Sequence, residues 1–600
     1  RFWPLWGAYS AVWLVMLPLN GLMFLQMDQH NTGYMEDFAF HMVPEAAPEL
    51  ALQLTLVFGV LAAMAVFSHL YNPRSANFFG GLPVRREGLF LTHYLAGLAF
   101  LVVPNVVIFL LTLLVELAGG AVCWQGLGFW LAVACGEGFF FYSLAVFCGL
   151  FTGHILALPA FYAVVNCLVI GVTELLSVVF QAFYHGFSGF ADGVHEVVKW
   201  FTPVVRLEER VRALWHWVDE AAQVSGGERV LELHGLGTVG VYAIAALALT
   251  VGAFFLYRAR RLESAGDVVS VKAMRPVFQY GVAFCAGLAL GMVTTMFTGG
   301  GEIMLMIAIL VWGVIGYFAA RMLLDKSFRV FGRWKGGLAV AAVFAALFAV
   351  VAFDLTGYET RVPDPGQVAS VHVSNLENPT LKDYGDHLNL DIDDPEVIRL
   401  ITTLHQAAVD QRDWASDYQE DKAWINLRLT YALKGGGALE RRYGLWVDFT
   451  QAEQEGTAAW AFQQLYNNRE LFWQVYTFDK LEELLAQGRP LTYAARCGAE
   501  GHSVAYAGQD ALDLLAAVKE DFFANRIGVR RLESSEDWYA HFPEEWLSFT
   551  IEGIPGGDGW YVEIALQDTA SSTLALLAEL DGDVRTDGGT DPAVPDTAAG

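Results

Sequence analysis

Nine stretches of mostly apolar residues fix what this chain can become. They lie at 2–25, 48–71, 89–115, 127–151, 155–180, 239–256, 278–296, 303–324 and 338–353. A hydrocarbon layer about 30 Å thick is crossed by about 20 helical residues, whose amides must bond within the helix. The expectation is a polytopic α-helical membrane protein of about nine spans. Only residues 152–154 part the fourth and fifth spans, and the ninth is short. The first is too long for a signal-peptide core and lacks a cleavage site. Since the chain opens on Arg1 rather than Met, further residues are expected before it.

Charge divides the chain. Residues 1–353 carry 21 acidic and 19 basic side chains, and residues 354–600 carry 43 and 18. Nearly all of the net charge of −27 therefore sits in the last part, which argues against a nucleic-acid partner. Five of the six Cys lie in apolar stretches, and Cys497 stands alone in the acidic part, so no disulfide framework is expected there. No Cys/His spacing suggests zinc.

Basic residues in short loops set the orientation. Arg74, Arg85 and Arg86 fall on one side with Arg1. The same side holds Arg258, Arg260, Arg261, Lys272 and Arg275, and later Arg321, Lys326, Arg329, Arg333 and Lys335. The opposite short loops, 27–47, 116–126 and 297–302, contain no Lys or Arg. This places the N-terminus in the cytoplasm and, after nine spans, residues 354–600 outside a plasma membrane. The long loop 181–236 also falls outside. Its segment 194–224 reads as an amphipathic helix, with Val197, Val198, Phe201, Leu214 and Trp217 opposite Lys199, Arg206, Glu209 and Arg210. Such a helix lies on the membrane surface or packs on its neighbours; both readings stand.

Beyond a linker at 354–366, residues 367–581 read as an extracellular α+β domain in which one unit occurs twice. The first copy has a strand at 369–373, a helix at 395–409 capped by Asp394, and a hairpin of 424–433 with 439–449. The second has a strand at 502–506, a helix at 510–525, and a hairpin of 546–552 with 560–566. The tail 582–600 is expected to be disordered.

Few motifs carry chemistry. Gly235, Gly237 and Gly240 match a dinucleotide string, but they open a span, so close helix packing is expected of them instead. There is no GxxxxGK[ST], GxSxG or HExxH string, so no enzyme activity is expected of this chain. The acidic run 391–396 lacks the glycine and distal Glu of a calcium loop and reads as a helix cap. Glu137, mid-way through the fourth span, is a candidate intramembrane site for a cationic substrate group or a proton. The structural alternative is a carboxyl that fastens helices through Asn105, Asn166 or His93. The loop 72–88, NPRSANFFGGLPVRREG, carries Phe78, Phe79 and Leu82 on a cytoplasmic segment with no membrane duty, a pattern suited to docking in a partner's groove.

The chain resembles the permease subunits of type-2 ABC exporters from Gram-positive bacteria. The resemblance rests on Arg1-Phe2-Trp3-Pro4-Leu5-Trp6 before the first span, Leu82-Pro83-Val84-Arg85-Arg86-Glu87, and the long outer loop before the sixth span. It also rests on the exit of that span through Tyr257-Arg258-Ala259-Arg260-Arg261-Leu262-Glu263-Ser264-Ala265-Gly266-Asp267. Residues 1–260 correspond to the family's six-span core. Three added spans at 261–353 and the outer domain are similar to a subgroup with a large extracellular domain. The resemblance implies a permease homodimer or heterodimer in the bacterial cell membrane, exporting or clearing an envelope-active compound or peptide. Separate ATP-binding subunits would hold the ATP and Mg, and this chain would hold no cofactor. It implies a coupling helix at 75–87, with Phe78, Phe79, Leu82, Arg85, Arg86 and Glu87 touching the ATPase. The family's elbow helix before the first span is expected among residues preceding Arg1. The alternative is a membrane-anchored sensor whose acidic domain binds an outside ligand.

Overall fold

The computed structural model describes residues 3–28, 34–81, 83–217, 229–260, 266–377, 388–411, 422–498, 503–528, 545–552 and 560–586. Two compact units emerge: Arg1–Val179 with Phe190–Ala349, and Phe180–Gly189 with Val350–Gly600.

Among the described residues nine helices are long and apolar enough to cross a membrane. They are α1 (Trp3–Met27), α2 (Tyr34–Val66), α3 (Arg86–Gly119), α4 (Trp124–Phe151), α5 (Ala157–Phe183), α6 (Leu236–Ala259), α7 (Met274–Thr298), α8 (Glu302–Asp325) and α9 (Lys335–Ala352). α2 begins well before the expected 48. Glu36, Asp37, His41 and Glu45 make that stretch read as loop, yet it stays helical through a wide π-type segment, Phe38–Ala46, around Pro44. Phe38, Ala39 and Val43 are buried there. α4 is the most buried of the nine and packs on α2, α3 and α6. In the last three helices, Gly291 lets α7 approach α8: a Cβ there would lie 2.6 Å from the Ile309 side chain. Phe344 of α9 stacks on Phe284 of α7 at 6.0 Å.

The described part of the segment expected as one helix, 194–217, is not one helix, and 218–224 lie outside the described residues. Helix Asp192–Trp200 ends before Pro203, a second runs Pro203–Arg210, and a hairpin of β1 (Arg212–Trp217) and β2 (Arg229–His234) follows. Pro203 disfavours helix at the residue before it, and the alternation Arg212-Ala-Leu-Trp suits a strand. The segment packs back on its own unit through buried Val198 and Leu207. Tyr242 Oη donates to Trp200 O at 2.9 Å and Trp215 Nε1 to Phe40 O at 2.8 Å. Val197 and Phe201 stay exposed. The glycine string departs from expectation too. Gly235 caps α6 at φ 94°, with Arg210 O 2.5 Å from an added Cβ, but added Cβ atoms on Gly237 and Gly240 meet nothing within 4 Å among the described residues.

In the acidic unit, β3 (Val368–Glu377), β4 (Leu388–Ile392), α10 (Pro395–Asp410), β5 (Lys422–Leu433) and β6 (Ala438–Asp448) form a sheet of order β4-β3-β5-β6. Then β7 (Tyr493–Gly498), β8 (Ser503–Tyr506), α11 (Gln509–Phe523), β9 (Glu545–Ile551) and β10 (Trp560–Ala565) form one of order β8-β7-β9-β10. All pairs are antiparallel, so the two halves share one strand order. Each helix is preceded by a hairpin, where a single strand is expected from sequence. One apolar core runs through both halves, from Val371 and Leu427 to Phe462, Phe522 and Phe549. Asp394 caps α10, accepting from Glu396 N at 2.7 Å, and Asp391 pairs with His372 at 2.9 Å. The residues 354–366, expected as linker, fold onto this unit: Arg441 lies 3.8 Å over the Tyr358 ring. Helix Ser571–Thr586 enters the stretch expected to be disordered, and 587–600 lie outside the described residues.

Candidate functional site

The segment after α2 builds a small helix on the bundle. Pro73 starts it with a preset φ, and Asn72 Oδ1 accepts Arg74 N at 3.0 Å, giving helix Pro73–Gly80. Its two phenylalanines diverge. Phe79 turns inward, its ring 4.8 Å from His69 and 5.8 Å from His93 of α3. Phe78 is 66% exposed. Ala76 is buried beneath the helix.

The other residues expected to dock separate likewise. Arg85 is exposed at the N-cap of α3 and its side chain makes no cap bond. Arg86 Nη1 donates to Arg260 O at 3.4 Å, and Glu87 lies 3.8 Å from Arg258. Leu82 lies outside the described residues. Phe78 and Arg85 are thus exposed, while Phe79 packs the short helix on the bundle and Arg86 and Glu87 tie the start of α3 to the exit of α6.

Arg260 closes this end of the bundle. It lies just past α6 and donates from Nη1 to Gly149 O and Leu150 O, at 3.2 and 3.3 Å, and from Nη2 to Leu70 O at 3.5 Å. The carbonyls belong to the end of α4 and to the turn after α2, so one guanidinium ties three chain segments together. Burial lowers its pKa from the ordinary arginine value, though arginine remains charged. Sequence reading treats Arg260 only as a charged anchor, because a local string cannot show three distant carbonyls converging on it. His69 is buried beside it, and its Nδ1 donates to Val66 O at 3.3 Å. Burial, then the charges of His93 and Arg260, pushes His69 down to about 4, so the ring is neutral at pH 7. His69, Phe79, Arg86, Tyr257 and Arg260 line a cleft beneath the helix. What the arrangement can do is mechanical: a push on the helix passes through Phe79 and Arg260 to the ends of α2, α4 and α6.

Glu137 sits in the middle of α4, only 1% exposed. Neither carboxyl oxygen has a hydrogen-bond partner among the described residues. The three side chains expected to fasten it bond elsewhere. Asn105 accepts from Tyr9 Oη at 2.9 Å and donates to Cys135 Sγ at 3.8 Å. Asn166 donates to Tyr162 O, and His93 to Leu89 O. Compared with protein families, curated proteins and solved structures, the chain matches none.

Proposed function

We propose that this chain is the membrane-spanning permease subunit of an ATP-driven ABC-type exporter, with ATP hydrolysis done by a separate subunit. One observation carries the reading: a short helix with one outward phenylalanine stands on the Arg-rich end of the bundle, packed through Phe79 onto segments that Arg260 joins. By the positive-inside rule that end is cytoplasmic and the acidic unit extracellular. Phe78 and Arg85 are then the contacts with the ATPase, and the remaining residues relay its closure. The substrate class, an envelope-active compound or peptide, follows from the resemblance alone. The test is co-purification of the tagged, full-length chain from its native membrane. A near-stoichiometric P-loop ATPase is expected, and the double variant Phe78→Asp, Arg85→Glu should lose it while still inserting. Retention of the ATPase by that variant would overturn the docking role.

A second reading, a membrane-anchored sensor, draws support from the grouping of Phe180–Gly189 with the acidic unit. His185 N donates to Glu359 Oε1 at 2.9 Å, His185 Nε2 to Ala408 O at 2.9 Å, and Arg442 N to Gly186 O at 3.1 Å. The unit is thereby gripped by the chain leaving α5 as well as joined to α9, a route by which an outside ligand could act on two spans.

A further inference from the structure

Glu137 belongs to a pattern. Trp13, Thr112, Glu116, Trp130 and Glu137 are all essentially inaccessible, and each leaves a polar side-chain atom without a hydrogen-bond partner. Among the described residues this holds for both oxygens of Glu116 and Glu137, Glu116 keeping only a weak approach to the Cys123 backbone N–H. Buried polar groups without partners are few in folded proteins and call for a cause, such as ordered water. Such atoms occur elsewhere too, as at Gln279 and Trp473, but these five lie on three neighbouring helices and include two carboxyls. Thr112 and Glu116 are one turn apart on α3, and Trp130 and Glu137 two turns apart on α4. The Trp13 ring of α1 meets that of Trp130 at 4.9 Å. The bond from Tyr9 to Asn105 and that from Asn105 to Cys135 set the three helices level with one another.

The seam runs lengthwise. Glu116 lies near the α3 terminus at Gly119, and Glu137 lies about 20 Å along α4 from its start at Trp124. Further along, Tyr94 Oη meets Ser143 Oγ at 2.6 Å and Thr250 Oγ1 at 2.7 Å, and Tyr142 Oη donates to Tyr94 O at 3.0 Å. His93 follows, its ring 4.6 Å from His69 in the basic cleft. Hydrogen-bonding groups therefore recur from Glu116 to His69. Tyr9 of α1 and Cys135 of α4 share Asn105 of α3 as hydrogen-bond partner, and the glycines flanking Glu137 face Thr55 of α2, Leu101 of α3 and Val239 of α6. α1, α2, α4 and α5 contain no Lys or Arg, and in α3 and α6 the only ones, Arg86 and Arg258, stand at the opposite end of the bundle from Glu116. The Trp13 and Trp130 rings meet edge to face, 72° apart, and both side chains are buried.

We propose that the seam of α1, α3 and α4 conducts protons between its Glu116 end and its His69 end, with Glu137 as the intermediate carrier. Bound waters bridge the partnerless atoms. Glu137 receives a proton on one oxygen and gives one up on the other side. The carboxyl returns to its starting form after each passage, and nothing is oxidised. The inference goes beyond the permease reading: it needs the bundle to lie in a membrane and needs no ATPase.

The test uses the full-length chain in lipid vesicles holding a pH-sensitive dye, with valinomycin and potassium clamping the potential. After a pH step, proton entry should exceed that of protein-free vesicles by about tenfold, and Glu137→Gln and Glu116→Gln should each return it to background. Wild-type vesicles no leakier than empty ones, or glutamine variants that conduct like wild type, would overturn the proposal. Because a variant can fail to insert, a second measurement uses the wild type alone. The infrared carboxyl bands of the buried acids should shift within minutes of transfer to heavy water, as a hydrated path requires. Bands that stay unshifted for hours would overturn it as well.

Discussion

The acidic unit and the seam of α3 and α4 both bury ionisable groups, and they treat them in opposite ways. In the acidic unit Asp521 is fully buried and accepts from Thr573 N at 2.8 Å, Thr573 Oγ1 at 2.7 Å, Ser572 N at 3.2 Å and Arg526 Nε at 2.7 Å. His405, also buried, places each ring nitrogen against a tyrosine hydroxyl, Tyr431 at 3.2 Å and Tyr443 at 3.0 Å. Arg441 donates to Tyr358 O at 2.9 Å and lies over that ring. In the bundle neither Glu116 nor Glu137 has such a set of partners among the described residues. A buried charge held on several partners holds a fold together. A buried acid without partners does nothing for the fold, and its presence points to use.

That contrast is open to direct attack. Asp521→Ala removes the anchor for the start of helix Ser571–Thr586 and strands the amides of Ser572 and Thr573, so the acidic unit should lose about 3 kcal/mol. Among the described residues Glu137→Gln breaks no hydrogen bond and Glu116→Gln at most a weak one to the Cys123 backbone, so each should change bundle stability by less than about 1 kcal/mol. Denaturant titration of the detergent-solubilised chain, followed by tryptophan fluorescence, measures both. Equal losses in the two regions would erase the distinction between paired and partnerless acids.

The two regions also differ in what their sequence discloses. Nine apolar stretches are enough to find nine long helices, because hydropathy acts over whole spans. The start of α2 is hidden by Glu36, Asp37 and Glu45, which hydropathy scores as loop although helix geometry tolerates them. In the acidic unit, Asp394-Pro395 announces α10 and Gly435 to Gly437 announce the turn between β5 and β6. β4 and β7 escape notice: one reads Leu-Asn-Leu-Asp-Ile and the other contains Ala494-Ala495-Arg496, neither rich in β-branched residues. The site divides the same way. Glu137 is legible as a charge within a span, and Phe78 and Phe79 as aromatics in a loop. Which phenylalanine faces out, and which helices meet at Glu137 or Arg260, depends on long-range packing that no local pattern encodes.

His405 extends the comparison to pH. Burial, then the nearby Arg441 charge, pushes it down to about 3, against an ordinary value near 6.5. The unfolded chain therefore binds the proton first. The neutral ring is no burden above about pH 6.5, and as pH falls the acidic unit loses about 1.4 kcal/mol per unit until about pH 3. Between pH 6.5 and 5 that is about 2 kcal/mol. The same titration repeated in His405→Gln isolates the effect, because the carboxylates are common to both chains. A variant as acid-sensitive as the parent would show that the His405 ring is not what couples this fold to protons.

The smallest effect tests the segment 180–189, whose residues group with the acidic unit although α5 carries them there. His185→Ala removes the ring bond to Ala408 O while leaving its backbone bond to Glu359 in place. The loss should be about 1 kcal/mol, the worth of one hydrogen bond. Hydrogen exchange on the intact chain reads it locally. Faster exchange at Arg442 N, whose partner is Gly186 O, is expected, with the second sheet, β8-β7-β9-β10, unchanged. If only the Gly186–Arg442 region loosens, the segment is a clamp on the first sheet alone, and a signal from an outside ligand would have to enter α5 through that half. If both sheets loosen together, the single apolar core makes the two halves one cooperative body, and either half could drive α5.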